Sequence, residues 1–437
     1  MAVIAVPAWA LINCVLAQAI TVTAADRTEV RTRAQSSMLR LDAETRPAFR
    51  LALTTPRTSY SFGYIPTFTA LSIASEDGEI IIQQAADANA SFRWEHTIFS
   101  VSQSGSYGER NFRALAVAAP APAGSAPGTP PGTGTTPPGG TGTTPLGGTG
   151  TTPPPPTGTP PGQTGAIANA QFRLEDNNVT LATSQTRATL QQVFSARTFG
   201  TLSGGYEYGG GIGTESERFL AIRKGPSVTV SVRHRVTPAD DLTTVTNGTY
   251  LETGSDKRAQ MVDLGEQWTH RWSPVVVGSL LIGASAARAE SDGFPRRRTS
   301  ALVPIALASL EYGFGLSGGR TRVASFLQFV PIIDRFTGDF DQRLQWVVDV
   351  NWTRHRLSLL ANFAGAQSVL PRVVFSLSNN LPFNYYSGTW SVLYRFTHEL
   401  SGEGGFRAAW VRTEGDAFPL LWSVFVAGTY TLSATYL

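Results

Sequence analysis

Residues 344–363 carry the pattern that decides the fold: Leu-Gln-Trp-Val-Val-Asp-Val-Asn-Trp-Thr-Arg-His-Arg-Leu-Ser-Leu-Leu-Ala-Asn-Phe. Before the Arg-His-Arg break, Leu344 and Trp346 share one phase of a two-residue period, and Gln345 and Asp349 share the other. After the break the alternation of apolar and polar residues resumes. Because successive side chains of a strand point to opposite faces, the stretch predicts two strands, each with an apolar face and a polar face.

The same alternation recurs along the chain. Three further examples of the apolar phase are Tyr60, Phe62, Tyr64 and Phe68; Val228, Val230 and Val232; and Trp390, Val392, Tyr394 and Phe396. Many alternating segments run ten or more residues, whereas strands of soluble proteins usually have about five or six. Trp and Tyr residues gather toward the segment ends, as in the aromatic girdles of membrane barrels. The length of the segments and the aromatic residues near their ends together favour strands that cross a membrane.

The composition excludes several classes of protein. Only 15% of the 437 residues are charged and 42% are hydrophobic, whereas soluble domains carry about 25% charged residues. Aromatic residues make up 10% of the chain, which supplies enough apolar surface to exclude disorder over most of its length. Beyond the N-terminus no apolar run reaches the ~18 residues of a membrane-spanning helix. The net charge of +3 is too small to indicate a nucleic-acid partner.

The N-terminal segment predicts export. The first 25 residues carry no charge, and an apolar stretch leads to Ala17-Gln-Ala19, the small-x-small pattern of a cleavage site. The expected organisation therefore begins with a signal peptide at 1–19 and a periplasmic N-terminal tail at 20–45. The single cysteine, Cys14, falls inside the signal peptide, so a chain cut after it has neither disulfide nor thiolate-metal chemistry.

Residues 114–168 differ from the rest of the chain because they are rich in Pro, Gly and Thr and contain no charged residue. The octapeptide Thr-Gly-Thr-Thr-Pro-Pro-Gly-Gly at 133–140 recurs with changes at 141–148 and 149–156. Such a segment cannot bury enough apolar surface to order itself, which predicts a disordered, partly polyproline-like linker. It is either a neutral spacer or a tether that reaches a partner or a cell-wall polymer.

The barrel strands are expected in two parts, 46–113 and 169–437. At about 10 residues per spanning strand plus connections, these parts hold about 16–18 strands, with 18 favoured. The first assigned strand is 47–54, the fifteenth is 371–379, and the linker joins the fourth strand to the fifth. That count places the linker in the periplasm, on the same side as both chain ends.

The sheet must close on itself, because an open edge would leave unpaired backbone groups in lipid at a cost of several kcal/mol each. The predicted fold is therefore all-β: a transmembrane antiparallel β-barrel with a disordered Pro/Gly/Thr-rich insertion.

The C-terminal alternation resembles the last strand of bacterial outer-membrane β-barrels of the porin-like kind: Tyr430, Leu432, Ala434 and Tyr436. The final residue, Leu437, departs from the aromatic residue usual in that class. The run Ser-Gln-Ser-Gly-Ser-Tyr-Gly-Glu-Arg-Asn-Phe at 102–112 is similar to the outer-membrane barrels of myxobacterial polysaccharide-export systems. The first resemblance implies a bacterial outer-membrane location, and the second implies an exported polysaccharide as cargo.

A barrel of this size is wide enough for an aqueous channel, and the polar phase of its strands would line it. The predicted lining residues are Arg50, Arg93, Arg233, Arg235, Arg271, Gln345, Asp349, Asn362 and Arg395. Charged side chains in a pore shape its field and its ion selectivity. Alternatively, the arginines pair with luminal acids and hold the wall rigid.

The sequence gives little support to catalysis. The best local case is His270 with nearby Ser273, but no acidic residue stands beside them to orient the histidine. The histidines are scattered and no carboxylate cluster has metal-ligand spacing. We therefore expect no enzyme activity, no catalytic residue, no metal site and no cofactor. The run Arg296 to Arg298 either binds phosphate of lipopolysaccharide or is a solvated loop.

The predicted function is an outer-membrane conduit that translocates an exported polysaccharide. Two alternatives stay open: a general solute porin, and a structural anchor that tethers a periplasmic or cell-wall partner through the linker. The expected partners are outer-membrane lipid and lipopolysaccharide, together with a periplasmic export protein or the cell wall. The oligomeric state does not follow from the sequence.

Overall fold

The computed structural model describes residues 19–35, 38–71, 79–111, 178–219, 221–254, 257–292, 297–333, 340–369, 382–413 and 421–436. Within these residues the strands are β1 (Ala19–Gln35), β2 (Met38–Thr54), β3 (Thr58–Leu71), β4 (Glu79–Arg93), β5 (Thr97–Asn111), β6 (Asn178–Ser195), β7 (Thr198–Gly211), β8 (Arg223–Arg235), β9 (Asp240–Thr253), β10 (Lys257–Ser273), β11 (Val276–Ser291), β12 (Arg297–Leu316), β13 (Gly319–Ile333), β14 (Phe340–Arg354), β15 (Leu357–Ser368), β16 (Pro382–Arg395), β17 (Leu400–Thr413) and β18 (Leu421–Tyr436). Each strand pairs antiparallel with its neighbours in the chain, and β1 pairs with both β2 and β18. The predicted fold is confirmed: the sheet is a closed barrel of 18 strands.

The two faces of the sheet differ as the alternation predicts. On β8, Val228, Val230 and Val232 are 42–48% exposed, whereas the intervening Thr229 is 8% exposed. The same outward exposure of large apolar side chains is found on every side of the barrel. An apolar surface of this extent is far larger than soluble monomers tolerate, and it is the surface that a membrane-spanning barrel presents to lipid. The protein is a transmembrane β-barrel of the outer-membrane type.

The two ends of the barrel carry different connections. At one end each connection has two to four residues: 55–57, 94–96, 196–197, 236–239, 274–275, 317–318, 355–356 and 396–399. Ala19 and Tyr436 lie at this same end, where β1 begins and β18 finishes. In outer-membrane barrels short turns face the periplasm and longer loops face outward. We therefore call the two ends the periplasmic end and the loop end.

The tight turns follow from local backbone chemistry. Ser317 and Gly318 join β12 to β13 with φ angles of 51° and 75°. Positive φ at both central positions is the hairpin turn whose twist matches the twist of the flanking strands. At the loop end, β7 leads into one short helix, α1 (Thr214–Phe219). Of the described helices, none has the length and apolar character needed to cross a membrane.

The N-terminal part of the domain prediction is wrong in one respect. Residues 20–45, expected as a periplasmic tail, form most of β1 and the beginning of β2. The extra strand moves each of the first fourteen assigned strands up by one, so segment 112–177 joins β5 to β6 at the loop end. The expectation that the linker lies on the same side as both chain ends is therefore corrected, because the strands it joins meet it at the end opposite Ala19 and Tyr436. The predicted disorder of 114–168 and the signal peptide, apart from Ala19, lie outside the described residues.

The assignment at 371–379 also lies outside the described residues. The strands on either side of it, β15 and β16, pair directly with each other. The predicted count of 18 strands is confirmed, although it was reached with β1 omitted and with an additional strand assigned between β15 and β16.

Candidate functional site: the inward-facing wall

The nine predicted lining residues all lie on the inward phase of their strands. Arg50, for example, lies between Phe49 and Leu51, which are exposed on the outer face. Arg93, Arg271 and Arg395 lie at or within two residues of the ends of β4, β10 and β16, at the periplasmic end. Strand phase therefore directs all nine side chains toward the interior of the barrel.

The structure brings some of the nine residues together with partners. The Asn362 amide donates to Asp349 across the β14–β15 pair, with Nδ2 2.5 Å from Oδ1. Gln345 is 1% exposed and bonded to Gln328 of β13. On β8, both Arg233 and Arg235 form ion pairs with one carboxylate of β9, that of Asp241. Pairing of arginines with inward acids therefore does occur, as one of the two sequence interpretations proposed.

A larger group of charges, on the two strands that flank β18 and on β2, was not singled out from the sequence. This luminal charge cluster consists of Arg27, Glu29, Arg31, Asp42, Glu44, Arg46, Glu403 and Arg407. Its four arginines and four carboxylates balance, and its members belong to β17, β1 and β2. Glu29 is 5% exposed and Asp42 is 0% exposed, so their charges are held by side chains of the wall itself.

Two ion pairs of the cluster cross over β18. Arg407 donates to Glu29, with Nη1 2.8 Å from Oε1, and Nη1 of Arg27 lies 2.9 Å from Oε2 of Glu403. The inward residues of β18 beneath them make the crossing feasible, because Ala427 is small and Phe425 lies flat under the arginine. The Arg407 guanidinium is 3.9 Å from the centre of the Phe425 ring, a cation–π contact.

A second polar element is a row of hydrogen bonds across β8, β9 and β10. Thr229 donates to Asn247 at 3.0 Å, and the Asn247 amide donates to Asp263 at 3.1 Å. All three residues are directly opposed in register and buried. Buried polar groups are costly unless they are hydrogen-bonded, so the row fixes three inward side chains to one another.

The inward face is not polar everywhere. Leu281, Ile305, Leu307 and Val330 form a buried cluster on the inner side of β11, β12 and β13, with Phe326 packed against it. The expectation that the polar phase of the strands lines the barrel is corrected at this patch. The outward residues between them, such as Leu280 and Ile282, are also apolar. The two faces of these strands therefore do not differ in polarity here, and the sequence shows no alternation.

His270, weighed above for catalysis, has the acidic partner that the sequence did not reveal. Asp240 at the start of β9 lies with Oδ1 2.6 Å from His270 Nδ1 and accepts a bond from Trp268 Nε1 at 3.0 Å. The Trp272 ring lies 5.0 Å from the His270 ring on the other side. The hydroxyl of Ser273 accepts from the Val275 amide and contributes no bond to this group. The group is a polar centre within the aromatic girdle at the periplasmic end.

Comparisons with known proteins bear on the shape of the chain alone. No family model and no curated protein matches the sequence. Among solved structures, the outer membrane protein opdK from Pseudomonas aeruginosa is similar with a TM-score of 0.44 and 6% identity, over 95% of this chain and 99% of that chain. OccAB4 of Acinetobacter baumannii gives a TM-score of 0.45 and 8% identity, over 96% and 99%. OpdL of Pseudomonas aeruginosa gives 0.43 and 9%, over 95% and 99%. The fold assignment itself rests on the strand pairing described above.

The described residues also contain no group of three or more His, Cys, Asp or Glu side chains placed to hold a metal ion. Because it gathers the charged and hydrogen-bonded side chains described above, the inward wall with its luminal charge cluster is the candidate functional site that the geometry supports best.

Proposed function

We propose that the protein is a channel of the bacterial outer membrane that conducts small water-soluble solutes through the barrel. Barrels of 16–18 strands leave an aqueous interior, whereas eight strands are filled by their own side chains. The observation that carries the proposal is the luminal charge cluster. Eight arginine, aspartate and glutamate side chains on the inward face, opposite an apolar outer face, favour a hydrated interior.

Translocation of an exported polysaccharide is a second possible task for a channel of this size. The inward wall favours it less than the conduction of small solutes. Sugar chains are commonly held by stacking on aromatic rings, but nearly all described aromatic side chains face outward. Among the residues whose side chains the structure describes, those on the inward phase of the strands are Phe199, Phe326 and Phe425. The run that resembles export barrels lies mostly in β5, where Ser102, Ser104 and Ser106 point inward. It has the alternation of an ordinary spanning strand.

The anchor alternative needs a tether in the periplasm. Segment 112–177 joins β5 to β6 at the loop end, opposite Ala19 and Tyr436. In the orientation usual for outer-membrane barrels that end faces outward, where a cell-wall or periplasmic partner is out of reach. The channel is therefore the function we propose, and the anchor would require the reverse orientation.

Single-channel recording of the purified, refolded full chain in planar phospholipid bilayers tests the proposal. The same recording is made on a variant lacking residues 120–165. We expect discrete conductance steps from the full chain, because an open aqueous passage carries ions. Silence from both proteins, with a folded barrel verified by circular dichroism, would overturn the proposal. Silence that the deletion relieves would support a channel that the 120–165 segment blocks.

A further inference from the structure

A row of alternating charges crosses the outer face of five adjacent strands at the loop end. We call it the outer charge row: Lys224 on β8, Glu252 on β9, Arg258 on β10, Glu290 on β11 and Arg298 on β12. Each member is the direct cross-strand partner of the next. Each also lies one residue from the loop end of its strand. The row therefore follows the rim of the barrel wall over five strands.

The outer charge row borders the lipid-facing apolar surface. Four residues further along their strands and on the same phase, Val228, Val262 and Leu302 are 48%, 53% and 78% exposed. Because side chains of one phase share a face, the charges of the row are directed outward, away from the lumen. In an outer-membrane barrel this position, above the apolar band at the loop end, is the level of the outer-leaflet headgroups.

The cations of the row keep most of their hydrogen-bonding capacity. Arg298 and a further outward arginine, Arg288, share one carboxylate, with their Nε atoms 3.3 and 2.9 Å from Glu290 Oε1. Arg258 lies 3.6 Å from Asp292, and Lys224 lies 3.5 Å from Glu252. A guanidinium has five N–H donors, so these contacts leave several on each arginine. The side chains of these three arginines and of Lys224 are 39–62% exposed.

The balance of charge in this region is positive. Four cations face three carboxylates, those of Glu252, Glu290 and Asp292. Exposed ion pairs of this kind stabilise only weakly, so a ligand with a stronger anion displaces them readily. Alternate strands lie about 10 Å apart, which separates the cations enough for each to receive its own anionic group.

We infer that the outer charge row binds the phosphate groups of lipopolysaccharide, the phosphorylated glycolipid of the outer leaflet. Arginine forks hold phosphate oxygens with two parallel bonds, and the apolar surface below the row would receive the acyl chains of the same molecule. The inference rests on the outer-membrane location in the proposed function and is independent of conduction.

The test measures binding of purified diphosphoryl lipid A to the full chain in detergent micelles by native mass spectrometry. Dephosphorylated lipid A is the comparison ligand. The variant is Arg258→Gln with Arg298→Gln. The matched control is Arg354→Gln, an exposed residue on the outward phase at the periplasmic end of β14. Circular dichroism verifies that each variant has folded.

We expect the native chain to bind diphosphoryl lipid A at least tenfold more tightly than the dephosphorylated form. The double variant should lose most of this preference, and Arg354→Gln should retain it. Equal affinity of the native chain for the two forms would overturn the inference, and so would an unchanged double variant. Displacement of lipid A by equal concentrations of phosphatidylglycerol vesicles or inorganic phosphate would show a general anion site and would overturn lipopolysaccharide as the occupant.

Conductance of the same proteins in bilayers free of lipopolysaccharide separates this inference from the channel. Lost lipid A binding with conductance intact would count against the outer charge row alone. Binding intact without conductance would count against the channel alone.

Discussion

Arg407 of β17 bonds to Glu29 of β1 across the intervening strand β18, with Nη1 2.8 Å from Oε1. A reciprocal pair, Arg27 of β1 with Glu403 of β17, crosses β18 at a second point. The pairing of β1 with β18 is the one that closes the barrel. Because Arg407 and Glu29 are separated by 378 residues, and Arg27 and Glu403 likewise lie near opposite ends of the chain, the two bridges form only when the first and last parts of the chain have met. They link the wall on both sides of the closure.

Removal of Arg407 should destabilise the barrel. Arg407→Met leaves Glu29, which is 5% exposed, with only its weaker partners, and breaking a buried ion pair costs about 3–5 kcal/mol. Arg27 and Arg31 still lie within 3.8 Å of the Glu29 carboxylate. We therefore expect the free energy of unfolding to fall by about 3 kcal/mol, the lower end of that range. The measurement is urea unfolding of the barrel in lipid vesicles.

The exposed pair Arg322–Glu311 provides the control, since its side chains are 65% and 48% exposed. Arg322→Gln should cost less than about 1 kcal/mol. If Arg407→Met lowers the free energy of unfolding no more than Arg322→Gln does, the bridge does not stabilise the barrel.

Two strand glycines should differ in how strongly a methyl group at each affects stability. A Cβ at Gly225 of β8 would lie 1.9 Å from the Tyr250 carbonyl oxygen, a backbone atom that cannot turn aside. Overpacking of this kind costs about 1–3 kcal/mol, so Gly225→Ala should lower the unfolding midpoint clearly. A Cβ at Gly204 of β7 would meet nothing within 4 Å, and Gly204→Ala should change stability by less than about 0.5 kcal/mol. Equal effects of the two substitutions would mean that the close approach at Gly225 does not exist in solution.

Strand periodicity predicted the barrel because it depends only on the local chain. β14 and β15 were evident from their sharp contrast of Trp, Leu and Val against Gln, Asp and Asn. β1 was missed because its inward phase is Arg27, Glu29 and Arg31 and its outward phase has no aromatic residue. A charged segment beside an export signal has the pattern of a tail. Its charges are compatible with a strand only because β2 and β17 supply partners.

The site was less predictable than the fold. Strand phase placed Arg50 and Arg233 on the inward face, since phase also depends only on the local chain. The bridge between Arg407 and Glu29 depends on the register of three strands and on the small inward residue of β18, Ala427. The partnership of Asp240 with His270 likewise comes from the β9–β10 pairing. Neither register can be derived from a single sequence.

The side of the membrane that holds the Pro/Gly/Thr-rich segment can be measured on cells. A peptide tag inserted between residues 120 and 165 should react with antibody on intact cells, because β5 and β6 meet this segment at the loop end. The same tag in the 236–239 turn, at the periplasmic end, should react only after the outer membrane is permeabilised. Detection of the second tag but not the first on intact cells would reverse the orientation and restore the periplasmic tether.

Ion selectivity tests whether the inward phase lines the conducting path. Arg50 on β2 has uncharged direct cross-strand neighbours, Thr23 and Gly63. The acid of the same row, Asp87 of β4, lies one strand further on, opposite Gly63. A unit charge about 7 Å from a passing ion in water contributes roughly 0.6 kcal/mol. Arg50→Gln should therefore lower the anion-to-cation permeability ratio about twofold to threefold, measured from the reversal potential across a potassium chloride gradient.

Low salt is required for that measurement, because about 10 mM salt extends the screening length to ~30 Å. The control, Arg354→Gln, removes the same charge from the outer face and should leave the ratio unchanged, since the ion never approaches it. If Arg50→Gln also leaves the ratio unchanged while conductance persists, the ions pass along another part of the wall. In that case the luminal charge cluster around Glu29 becomes the next position to neutralise.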